Sequence, residues 1–161
     1  RGRAGPRVQT IFAQERTSQV LCYANANLTR DKQDDAVWEF ARFWRGLTGR
    51  YPQWLYFDSK LTSYKKLTQL TKKNIWFVTI RRRGSSVLRR LNSLPTGDWQ
   101  TAVIDIPRRR HQRIRYIDER VRLSGYEGEM RQVAVCDLGR KQPPLFLSNH
   151  FEVTPRQSVM N

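Results

Sequence analysis

A chain of 161 residues suffices for one domain with a sizeable core, and 39% hydrophobic content with five Trp, seven Phe and six Tyr argues against a disordered basic tail. Thirty Lys and Arg against fourteen Asp and Glu leave a net charge of +16, which points to a polyanionic partner, nucleic acid first; the alternative is a solvated basic surface, or an acidic protein or membrane partner. No apolar run approaches the roughly 18 to 20 residues of a membrane span and no signal peptide opens the sequence, so a cytoplasmic protein is expected.

The sequence opens on Arg1 with the basic, Gly/Pro-rich stretch "RGRAGP", which lacks hydrophobic periodicity, and a preceding segment is expected. "RVQTIFAQ" and "SQVLCYAN" are rich in β-branched and aromatic residues and flank the polar turn "ERTS", a hairpin pattern. From Asp31 the period changes. Val37, Phe40, Ala41, Trp44 and Leu47 recur at helical spacing, with Asp34 and Asp35 in the first turn and Gly49 beyond the end. "WLYF" then reads as a buried strand, "TSYKKLTQLTKKN" as a helix with Tyr64, Leu67 and Leu70 on one face, and "IWFVTI" as a second buried strand. Strands alternating with helices predict parallel pairing and an α/β core. After the short helix "SSVLRRLNSL" the texture changes. "WQTAVIDI", "RIRYI", "RVRLSG", "MRQVAVCDL" and "PLFLSN" read as successive strands with turn residues between them, a β segment inserted into the α/β unit. Thr154 followed by Pro155 starts a helix that the end of the sequence interrupts. The expected division is therefore a partial core over 1–94, a β insertion over 95–150 and the start of a further core helix over 151–161. No internal repeat is visible.

Cys22 and Cys136 sit inside strand-like runs and read as small buried thiols without chemistry. His111 and His150 are isolated, so neither zinc spacing nor a Cys or Ser triad is present, and any metal would be a hard ion held by carboxylates. Asp58 stands where the strand "WLYF" should end. At that position a carboxylate is either a turn or cap residue, or a ligand at the crevice outside the carboxyl end of a strand. Lys60 and the run Arg81, Arg82 and Arg83 follow the two core strands, and are either solvated charge or phosphate contacts. Arg108, Arg109 and Arg110, with Arg113 and Arg115, form a basic turn inside the insertion that allows the same two readings.

The stretches "YANANLTR", "FDSKLTSYKKL", "IWFVTIRRRG" and "LFLSNHFEVTP" together resemble the DDE transposases of bacterial insertion sequences, in particular those with a β-strand insertion in a ribonuclease H-like catalytic core. The resemblance spans nearly the whole chain. It implies a mixed sheet with flanking helices, truncated at both ends, and metal-dependent cleavage and strand transfer of double-stranded DNA at transposon ends and target. Asp58 corresponds to the second of three acidic ligands for magnesium, with manganese as a substitute. The first ligand would lie on a strand upstream of Arg1 and the third, a Glu, on a helix past Asn161. These 161 residues alone are therefore expected to be inactive, and the intact protein is a candidate homodimer. The alternative is a non-catalytic, basic DNA-binding remnant.

Overall fold

A computed structural model describes residues 9–104, 112–139 and 142–152, the side chain of Gln112 excepted. The described chain is mixed α/β, with a two-stranded antiparallel sheet, a six-stranded mixed sheet and helices. Strands β1 (Gln9–Gln14) and β2 (Leu21–Leu28) form the hairpin that the alternating "QTIFAQ" pattern predicts. Its turn closes on Glu15, whose carboxylate accepts from the backbone amides of Thr17 and Ser18.

Helix α1 (Ala36–Thr48) follows, burying Val37 and Ala41. It ends at Gly49, where φ is +77°; the left-handed region costs a side-chain-bearing residue energy that glycine escapes, and the Gly49 amide closes the helix on the Arg45 carbonyl. Asp34 and Asp35 lie in a short 3-10 turn just before α1. Strand β3 (Trp54–Phe57), helix α2 (Tyr64–Lys72) and strand β4 (Trp76–Ile80) then form a β-α-β unit whose strands pair in parallel, the arrangement that their continuous apolar runs predict. Helix α3 (Ser85–Ser93) leads into a meander of β5 (Gln100–Ile104), β6 (Gln112–Val121), β7 (Met130–Cys136) and β8 (Leu145–Ser148).

The last strand of that meander returns to pair antiparallel with β4, so the sheet order is β3-β4-β8-β7-β6-β5. The strands of 95–150 thus continue the same sheet as β3 and β4. One expectation fails here. "RIRYI" and the first two residues of "RVRLSG" are parts of a single ten-residue strand that ends at Val121, because Asp118 and Glu119 between them do not turn the chain. Instead Asp118 accepts from buried Arg131 (Nε to Oδ1 2.9 Å), and Glu119 faces Gln132 directly across the ladder (2.6 Å).

The main core joins Val37 and Ala41 of α1, Leu67 and Leu70 of α2, Leu55, Phe77 and Leu147. A neighbouring cluster places Leu91 of α3 against Ala134 and Leu145. Leu145 and Leu147 are two apart on one strand and share a face, so all three helices pack on the same side of the sheet. Asn149 fastens its centre: it accepts from Phe77 N (2.9 Å) and donates to Ile75 O (2.9 Å) and Thr71 Oγ1 (3.0 Å), binding the end of β8 to β4 and α2. No helix among the described residues is long and apolar enough to cross a membrane.

Candidate functional site

Parallel pairing determines what lies beside what at the sheet edge. Phe57 is in register with Thr79, whose hydroxyl donates to the Phe57 carbonyl (2.9 Å), so the residues after both strands leave the sheet at one edge. Asp58 is the first of them, exposed and extended (φ −74°, ψ 142°). Its Oδ1 accepts from Lys60 N at 2.9 Å, capping the 3-10 turn Ser59–Leu61. Lys60 is exposed beside it. The Asp35–Lys66 ion pair ties the start of α2 to the turn before α1, and that turn packs on the one that Asp58 caps.

The three arginines after β4 part company. The Arg81 amide donates to Leu145 O (2.7 Å), and its guanidinium donates to the side-chain carbonyl of Gln132, a residue with 0% exposure. Gln132 in turn donates to Glu119, which also accepts from both terminal guanidinium nitrogens, Nη1 and Nη2, of Arg90 on α3. Arg81 is therefore a link in a polar chain that passes through buried Gln132 and runs from β4 through β7 and β6 to the exposed Arg90 of α3. Arg82 and Arg83 are exposed, with Arg83 Nη1 at 3.5 Å from Gln142 O. Asp58, Lys60, Arg82 and Arg83 thus share one sheet edge. Arg108, Arg109 and Arg110 lie outside the described residues, as does the helix start at Thr154. Arg113 is exposed, whereas Arg115 donates to Asp137 (2.8 Å) and holds that carboxyl below its usual range.

The polar chain through Gln132, Glu119 and Arg90 escapes a reading of the sequence, because its members are 29 and 13 residues apart and meet only through the packing of α3 and the β6–β7 register. Alternation along β6 and β7 marks which residues share a face but not which strands are neighbours. The thiols are half-buried rather than buried as the sequence suggests: Cys22 donates weakly to Ala13 O, and burial, then the adjacent Asp137 carboxylate, push Cys136 above its usual range.

A cleft of about 1330 Å³ opens beside Asp58, between β1 on one side and β3 on the other, over α1. Ile11, Ala13, Tyr23, Phe40, Trp44 and Leu55 are among its lining residues. Among the described residues, no three His, Cys, Asp or Glu side chains gather as metal ligands, so Asp58 supplies one hard oxygen donor and the described residues do not by themselves fit a magnesium centre. No protein-family model matches the chain, and no curated protein matches it.

Proposed function

We propose that this chain is the central part of a DNA transposase with a ribonuclease H-like core, working on the phosphodiester backbone at the edge that carries Asp58. The supporting observation is the parallel β3-α2-β4 unit. It gathers one exposed carboxylate and the exposed cations Lys60, Arg82 and Arg83 at the carboxyl ends of two adjacent strands, in a chain of net charge +16. Exposed cations that follow the ends of two adjacent strands suit phosphate oxygens, which position a duplex without reading its sequence. Cleavage requires two further acidic ligands from outside the described residues. A second reading, a basic DNA-binding module without catalysis, draws support from the bond that Asp58 makes to Lys60 N, since capping alone accounts for a carboxylate at this position.

Two measurements test these readings. Duplex binding should weaken steeply between about 50 and 200 mM salt, and replacing Lys60, Arg82 and Arg83 by Ala should lower the slope of log affinity against log salt by about one for each phosphate that is no longer neutralised. Affinity indifferent to salt rejects both readings. Nicking of plasmid DNA in magnesium by the protein in its natural reading frame separates them. Under the transposase reading Asp58→Asn abolishes nicking and leaves binding intact, whereas a wild-type protein that binds without nicking leaves only the module.

A further inference from the structure

We propose that the last two turns of α1, with the start of β2, form a docking surface for a protein partner: an amphipathic helix whose apolar anchors are flanked by carboxylates. The inference does not rest on the proposed reaction.

Helix α1 commits only part of its apolar content to the core. Val37 and Ala41 are buried, whereas Phe43 is 39% exposed and Leu47, one turn further on, 68%. Residues four apart lie on one face of a helix, so these two side chains form a single strip along its outside. Strand β2 extends the strip. It runs antiparallel to α1: Asn25 donates to Glu39 (3.4 Å), and Tyr23 meets Phe40 and Phe43 with ring centroids 5.5 and 4.9 Å apart. Two residues further back, Leu21 therefore comes abreast of the last turn of α1, and it is 61% exposed.

Charge decides the occupant. Residues 42–50 hold Arg42, Arg45 and Arg50 and no Asp or Glu. Arg45 turns onto Tyr51, its guanidinium carbon 4.9 Å from the ring centroid and its Nη1 donating to the hydroxyl (3.1 Å). Arg42 and Arg50 are exposed. An apolar strip rimmed by cations complements a carboxylate-bearing helix: anchors at i and i+4 meet Phe43 and Leu47, and flanking Asp or Glu meet the two arginines. A second copy of this chain would bring a net charge of +16 to the same rim, and like charges oppose that approach. Duplex DNA suits the cations but gains nothing from Leu47, because phosphates present no apolar surface. Location separates this surface from the edge that carries Asp58. Helix α1 starts beside the turn that Asp58 caps and ends shortly before Trp54, the first residue of β3. Its last turn thus lies at the opposite end of that strand, about 20 Å away along a helix of 13 residues.

The test uses the protein in its natural reading frame and two synthetic amphipathic helices of about 18 residues. One carries leucines at i, i+4 spacing among glutamates, and the other has lysine in place of every glutamate. Binding is read by fluorescence anisotropy and by amide hydrogen exchange. The acidic helix should bind at least about tenfold more tightly than the basic one and slow exchange across 41–49. Leu47→Ser, and separately Arg42→Glu with Arg50→Glu, should each weaken it at least about tenfold, with the melting temperature and the salt slope of DNA binding unchanged because all three side chains are exposed. Equal binding of the two helices, or variants that bind as the wild type does, overturns the proposal. Protection at 58–60 and 81–83 instead would mean that the acidic helix follows basic charge wherever it is exposed, and overturns it as well. Displacement by saturating duplex DNA assigns the surface to nucleic acid, dimerisation that Leu47→Ser abolishes assigns it to a second copy, and protection of 41–49 by phosphatidylserine vesicles assigns it to a membrane; each of the three overturns it too.

Discussion

Asp58 satisfies two demands with one side chain, since a carboxylate both caps the turn through Lys60 N and leaves a negative group at the strand-end edge. Stability and chemistry separate on substitution. Asn caps about as well as Asp, so Asp58→Asn should leave the melting temperature near that of the wild type, whereas Asp58→Ala should lose about 1 kcal/mol by chemical denaturation. An Asn variant as unstable as the Ala variant would show that the negative charge, not the cap, holds the turn. Glu15 carries a strongly depressed carboxyl. Amide donation from Ser18, then Thr17, lowers its pKa from 4.5 to about 2. A depressed carboxyl stabilises the folded hairpin above its unfolded value, and that contribution fades as pH falls from about 4.5 through about 2. The Thr17 and Ser18 amide resonances should therefore titrate with a midpoint near 2 and stop doing so in Glu15→Gln. A midpoint near 4.5 in the wild type would mean that the turn does not hold the carboxylate.

At the scale of elements, the buried Asn149 ties three elements together. Its amide satisfies Phe77 N–H and Ile75 C=O around β4, and reaches Thr71 on α2. Asn149→Ala leaves buried backbone groups without partners, and each such orphan costs about 1 to 3 kcal/mol. A decrease of about 3 kcal/mol in unfolding free energy is expected, with the exchange of β4 amides accelerated ahead of those in β6. Equal acceleration in both strands would mean that Asn149 supports the sheet globally rather than at β4. Helix α1 shows the other way an element is held: Gly49 ends it through backbone conformation alone, a local device that any later tertiary contact inherits.

Across the whole molecule, the polar chain Arg81–Gln132–Glu119–Arg90 couples the β-α-β unit to the meander and to α3. Arg81 is thereby distinguished from its neighbours. Arg81→Met should destabilise the fold by about 2 kcal/mol, because Gln132 is deprived of a partner in a site without water access. It should leave the salt slope of DNA binding unchanged, while Arg82→Ala with Arg83→Ala should lower that slope at constant stability. Equal slope changes in the two variants would mean that Arg81 also reaches phosphate.

Much of this fold is legible along the chain. The hairpin, the amphipathic stripe of α1 with its closing Gly49, the apolar runs of β3 and β4 and the face of α2 follow from periods of 2 and 3.6 and from local backbone chemistry, which neighbouring residues alone decide. Asp58 is visible for the same reason, as a polar residue breaking an apolar run at a strand end. Continuity between "RIRYI" and "RVRLSG" is not visible, because Asp118 and Glu119 resemble turn residues until Arg131 and Gln132 on the next strand neutralise and bond them. The different fates of Arg81, Arg82 and Arg83 are equally hidden: three identical side chains carry no local mark, and only the pairing of β4 with β8 and β8 with β7 brings Gln132 within reach of one of them. Neighbouring residues along the chain dictate the elements, the basic charge and the carboxylate at the end of β3. The strand order, the shared edge and the cleft between β1 and β3 arise only in three dimensions, because they depend on contacts between residues far apart in the chain, which no local period encodes.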